Sequence, residues 1–157
     1  MSFRFRSQDD DPDDKIYNAI QVAYRRDVII FAAVSNEGGN YAVAYLANQS
    51  TVICVFSTDG YSNRSAFNPL PINNRNNFSI LREAVKSSWP ERLGKGYELR
   101  QSGTSYATPI AAGIAALVLD YIKQKLLEAE KEVWSKLRSC VGMQKVLKLI
   151  AVERDGL

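Results

Sequence analysis

At 157 residues the chain has the length of one domain or a piece of one, and its 46% apolar and 24% charged residues are those of an ordinary soluble globular protein. The net charge of +3 comes from 20 basic and 17 acidic residues that are interspersed. With no basic block or stripe to neutralise phosphates, nucleic acid is not an expected partner.

Met1 to Phe5 reads as a short strand, and Met1 to Lys15 carries arginines and then aspartates where a secretory leader needs an apolar core. The acidic run Asp9 to Asp14, with Pro12 inside it, suits the first turn of a helix. It lacks the alternating oxygen ligands and glycine turn of a calcium loop, so a solvated helix start is expected and no metal. The helix is expected to run to about Arg26, with Ile16, Ala19, Ile20 and Ala23 on one face. It delivers the chain to Val28 to Ala33, a run apolar on both sides, which completes a βαβ unit.

Asn36, Gly38 and Gly39 break that strand, Thr51 to Ser57 forms a second buried strand, and Asp59-Gly60 turns the chain. Parallel pairing is expected. Asn63 to Asn77, rich in Asn, Pro and Arg and without periodicity, reads as a surface loop, followed by an extended piece at Tyr97 to Gln101. A helix from about Ser105 to Lys125 is apolar nearly all round and should be central and buried. Pro109 cannot donate to the Ser105 carbonyl, which is tolerable only if Ser105 lies in the first helical turn. The longest apolar stretch contains Pro109 and is shorter than the ~18 residues of a membrane span, so no membrane partner is expected.

Beyond Lys123 the stripe Leu126, Leu127, Val133, Trp134 and Leu137, then Met143, Val146, Leu147 and Ile150 after Gly142, marks surface helices packed by one face. The two cysteines, Cys54 in an apolar run and Cys140 far downstream, form neither a disulfide framework nor a metal-ligand spacing. A reducing, intracellular (cytoplasmic) setting is expected. Trp89, Trp134 and the tyrosines read as packing residues.

A serine at a helix N-terminus sits beside backbone N–H groups able to stabilise an oxyanion formed when its hydroxyl attacks a carbonyl. Serine and threonine are also common helix caps, so position alone is compatible with a purely structural role. The neighbouring residues shift the weight. G-T-S-Y-A-T-P-I-A-A-G-I-A-A-L, Gly103 to Leu117, closely resembles the serine motif of the subtilisin-like proteases (subtilases, peptidase S8), G-T-S-x-A-[ST]-P-x-x-[AS]-G. V-I-I-F-A-A-V-S-N-E-G-G-N, Val28 to Asn40, is similar to the family's strand that ends in an asparagine. S-T-D-G followed by S-A-F-N-P, from Ser57, resembles its A-T-D-x-x-G-x-x-S-x-F region.

The resemblance implies an α/β fold: a partial subtilisin-like domain, residues 1–122, with a mostly parallel sheet and a central buried helix, and a helical extension over 123–157 packed on it. It implies a serine endopeptidase without a cofactor. Ser105 is the nucleophile, and its own N–H and the Asn36 amide form the oxyanion hole. Ser2, Phe3 and Arg4 match a substrate-binding segment, and Ala33, Val34, Ser35 and Asn36 form a further pocket wall. A peptide or protein substrate follows. Four positions depart from the pattern: Arg4 and Ser35 replace glycines, Leu46 replaces a proline, and Arg82 stands where a strand-ending glycine is usual.

The family's D-[ST]-G and H-G-T motifs do not occur, and the chain has no histidine. Asp59 follows Asn36 in chain order, the wrong order for the triad aspartate, and no lysine lies where it could serve Ser105 as base. The expected explanation is that these residues are the C-terminal half of a catalytic domain whose Asp and His lie in an N-terminal half, so that the chain alone is inactive. The alternative, motivated by Arg4, Leu46 and Arg82, is a degenerate pseudo-protease serving as an interaction module. An α/β-hydrolase elbow at Gly103 to Ala107 needs a histidine too and leaves Val28 to Asn40 unexplained.

Overall fold

The computed structural model describes residues 9, 11–81, 85–88, 98–125 and 131–152. The expected strand at Met1 to Phe5, the departures Arg4 and Arg82, and Trp89, Leu126 and Leu127 lie outside them. Helix α1 (Lys15–Arg25) buries Ile20 and feeds strand β1 (Phe31–Ala33). The acidic run precedes this helix instead of forming its first turn. Asp14 takes a left-handed φ of 51°, and the buried Asp11 carboxylate accepts the N–H groups of Ile16 and Tyr17, each at 3.0 Å. One carboxylate thus satisfies two first-turn donors that have no carbonyl inside the helix.

β1, β2 (Ile53–Thr58) and β3 (Phe78–Leu81) form a parallel sheet in that order, with Phe31 opposite Ile53 and Val55 opposite Phe78. All six residues of β2 are buried, and its apolar stretch Ile53 to Phe56 suits a strand covered on both faces. Alternate residues serve opposite layers. Phe31, Ile53 and Val55 pack with the helices that follow the sheet, while Ala32, Val34, Cys54 and Phe56 pack with Ile20 of α1 and with Leu46 and Ala47. The β1-to-β2 crossover has no long helix, and Arg75 closes it: its guanidinium donates to the carbonyls of Ala47 (3.3 Å), Gln49 (2.8 Å) and Val52 (2.8 Å). Leu46 is a core residue here, 2% exposed.

The segment 63–77 is not simply a surface loop, because Ser65, Asn68 and Pro69 are buried. Asn68 acts as a substitute strand: its Oδ1 accepts the Ser57 N–H at 3.1 Å and its Nδ2 donates to the Ser57 carbonyl at 2.6 Å. Asn77 does the same for Ile72, at 3.0 Å both ways. Polar side chains replace the ladder, so apolar periodicity gives no sign of the burial. Strand β3 follows unanticipated, as does β4 (Val85–Ser88). β4 pairs antiparallel with β5 (Glu98–Gln101), inside the expected extended piece.

Helix α2 (Thr104–Lys125) crosses the sheet with Thr104, Ala107, Thr108, Ala111 and Ala115 buried. It is 22 residues long and, by length and composition alone, apolar enough to cross a membrane, a test that the core helix of a soluble protein also passes. Pro109 does not end it, since the residue lies near the helix start and is exposed. Among the described residues one face is covered, and Gly113, Ala116, Leu117 and Tyr121 on the other are exposed. Helices α3 (Lys131–Arg138) and α4 (Cys140–Ile150) follow, and Ser139 caps α4 by accepting the Gly142 N–H at 3.0 Å. Cys140, Met143 and Leu147 of α4 join the same core as α2 and the sheet, so the described elements form an α/β sandwich.

Candidate active site

Beyond β1 the chain turns sharply. Val34 is fully buried, its N–H donating to Val55 and its carbonyl accepting from Ala44 at 2.7 Å, and Ser35 then takes a φ of 137°. That conformation favours glycine, the residue the resemblance leads one to expect there. Ser35 is held in it from two sides: its Oγ accepts the Glu37 N–H at 3.3 Å, and its carbonyl accepts from Thr104 Oγ1 at 3.1 Å.

Asn36 follows at the carboxyl end of β1, where ligands of open parallel sheets bind. Its Oδ1 accepts the Thr104 N–H at 2.8 Å and faces Thr104 Oγ1 at 3.0 Å, across 68 positions of sequence. The single Thr104 hydroxyl proton is shared between Asn36 and the Ser35 carbonyl. Because a backbone N–H can only donate, Oδ1 must face Thr104, and this fixes the amide orientation and turns Nδ2 away from the clamp. Asn36 is exposed, and a Cβ on Gly103 would lie 3.2 Å from Nδ2. Gly103, at φ 135°, lets the chain enter α2 directly against that amide.

Ser105 is the second residue of α2, half-buried, beside the Thr104 clamp. Behind it the N–H groups of Tyr106 and Ala107 return to the Gly103 carbonyl at 3.0 and 3.3 Å, and Thr108 Oγ1 donates to the Thr104 carbonyl at 2.8 Å. The first turn is therefore fixed from below by hydroxyls and from the side by Asn36. Ser105 and Asn36 are brought to one place, the end of the sheet. Ala33 is buried, Val34 supports the turn from behind, Ser35 is half-buried, and Ser2, Phe3 and Arg4 lie outside the described residues. Thr104 carries a positioning role that no pattern in the sequence assigns to it. Its position between Gly103 and Ser105 was the available signal.

A cavity of about 420 Å³ is lined by Thr58, Arg75, Asn77, Phe78, Ser79 and Lys148 among others, and neither Ser105 nor Asn36 borders it. No group of three metal-ligating side chains occurs among the described residues. Both thiols are buried and pushed above their ordinary value, chiefly by loss of solvation, so neither is an activated nucleophile.

A family model described as the Subtilase family matches residues 2–151. The subtilisin-like protease het-Q2 of Podospora anserina is 30% identical over 146 residues, taking in 88% of this chain and 40% of that protein. Thermitase of Thermoactinomyces vulgaris is 33% identical over 104 residues, 66% of this chain and 34% of the relative. Among solved structures, the prenylagaramide maturation protease PagA superposes with a TM-score of 0.63 at 26% identity, over 78% of this chain and 42% of that one. The PatG macrocyclase bound to peptide reaches 0.74 at 18% identity, over 98% and 43%, a likeness of fold. The chain belongs to the subtilase family of serine-type proteases. It spans well under half the length of the curated relatives it matches.

Proposed function

We propose that these residues form the serine-bearing half of a subtilisin-like endopeptidase site acting on peptide or protein substrates. The Ser105 Oγ attacks the scissile carbonyl. A base supplied from outside the 157 residues takes the hydroxyl proton, and the carbonyl oxygen, now negative, accepts hydrogen bonds from Asn36 Nδ2 and the Ser105 N–H. The observation that carries this reading is the Asn36–Thr104 clamp, which pre-orients an amide donor beside the serine so that no reorganisation is needed as charge develops. Ser35 with Ala33 and Val34, and Ser2, Phe3 and Arg4, belong to the substrate cleft in this proposal, and the setting is intracellular.

With no histidine in the sequence, the chain alone should not turn over peptides. In subtilisin, losing the base costs on the order of 10⁶ in kcat, and what survives is roughly 10³–10⁴ over water. The test is fluorophosphonate labelling. The purified chain should show no labelling of Ser105, and co-folding with a polypeptide bearing the D-[ST]-G and H-G-T motifs should restore it. Rapid labelling of the chain alone, abolished by Ser105→Ala, would overturn the reading. Stable complexes that never label would favour the pseudo-protease. Leu46 gives that alternative no support, since its burial in the core accounts for it.

A further inference from the structure

We infer that the cavity between the carboxyl end of β2 and the carboxyl end of α4 is a binding site for a small organic phosphate. Neither Ser105 nor Asn36 borders it, so it stands whether or not those residues carry out proteolysis. Its volume of about 420 Å³ falls in the ~300–1,000 Å³ range of small-molecule sites.

The sign of its charge selects the ligand. Arg75 and Lys148 line it, and no carboxylate does among the described residues. The Arg75 guanidinium donates to three neutral carbonyls, which leaves its charge uncancelled and two of its five N–H donors unused. Lys148 is exposed and makes no ion pair among the described residues. Asp59 stands next to Thr58 in sequence, but its carboxylate is turned onto its own loop, where it accepts the Tyr61 and Asn63 N–H groups and Asn63 Nδ2. The end of α4 adds roughly half a negative charge, which the two full positive charges outweigh.

Thr58 supplies a second, independent observation. It is only 6% exposed and lines the cavity, yet its hydroxyl has no hydrogen-bond partner among the described residues. A buried hydroxyl left unbonded costs free energy, and a ligand oxygen in the cavity would remove that cost. Ser62 and Ser79 line the same space, and neither hydroxyl is bonded among the described residues. Hydroxyls, a guanidinium and an ammonium without a carboxylate form a donor set for the oxygens of a phosphate. Phe78, Ala151 and Val152 close the rest with apolar surface, which a bare ion would leave uncovered and the organic part of a phosphate monoester would fill.

The experiment uses the full 157-residue chain and phenyl phosphate as probe, with inorganic phosphate and phenol as controls. Affinity is read by isothermal titration calorimetry and folding by circular dichroism. Phenyl phosphate is expected to bind about tenfold or more tightly than either control. Lys148→Met and Thr58→Val should each weaken it about fivefold or more. Thr58→Val should melt no lower than the parent, because its hydroxyl has no bond to lose. Lys123→Met, which removes the same charge at an exposed position of α2 outside the cavity, should bind as the parent. Phenol or inorganic phosphate binding as tightly as phenyl phosphate would overturn the inference, as would affinity indifferent to Thr58 and Lys148 or an equal loss in Lys123→Met. A Thr58→Val chain melting several degrees lower would make that hydroxyl structural, and the inference would fail.

Discussion

Asn36 and Thr104 are joined at 2.8 and 3.0 Å through one carboxamide oxygen, which ties the end of β1 to the first turn of α2. Thr104 is fully buried, and its hydroxyl also reaches the Ser35 carbonyl at 3.1 Å. Thr104→Val removes that hydroxyl while keeping the shape. Losing this part-buried hydrogen bond to the Ser35 carbonyl should cost about 0.5–1.5 kcal/mol, read by urea denaturation. In a complemented, active assembly kcat should fall about tenfold or more with little change in KM, because the amide would be less well aimed only as charge develops. Thr104→Ser restores both quantities if orientation is the reason.

Gly103 and Gly113 should respond to alanine with opposite signs. At Gly103 the φ of 135° and the 3.2 Å approach to Asn36 Nδ2 make a Cβ both strained and crowding, for a loss of about 1–3 kcal/mol. Gly113→Ala faces open space in a helix interior and should gain about 0.5–1 kcal/mol in the chain alone. Paired denaturation curves check both.

Gly142 is more demanding still. A Cβ there would fall 1.9 Å from the Lys136 carbonyl oxygen, a backbone atom that cannot swing aside. Gly142→Ala must therefore part α3 from α4, and because α4 brings Met143 and Leu147 to the main core, the melting temperature should drop by several degrees.

The buried Cys54 thiol is raised above its ordinary value of 9.0, mainly by desolvation and against the opposing charge of Arg75. Well below pH 9.0 folded and unfolded chains both keep the proton, so this contribution to stability is complete. As pH rises further the unfolded thiol ionises first, and stability is lost until the folded thiol ionises too. Denaturation between pH 8 and 11 should show about that alkaline decline, and Cys54→Ala should flatten part of it.

Much of this was readable beforehand where local chemistry and global packing agree. The apolar run Val52 to Phe56 became a buried central strand, and Pro109 fixed Ser105 in a first helical turn. The sequence could not show Asn68 and Asn77 standing in for a strand, because a side-chain amide that mimics the backbone leaves no periodic trace. Nor could it show the role of Thr104, which exists only once two segments 68 positions apart meet. The short strand β3 escaped because four residues carry too little pattern, and its burial depends on a neighbour.

Arg75 has an effect at a distance. By tethering three carbonyls of the segment between Asn36 and β2, it pins the end of that segment nearest β2. A neutral residue there would leave the Ala47, Gln49 and Val52 carbonyls without that donor and slacken the segment that follows Asn36.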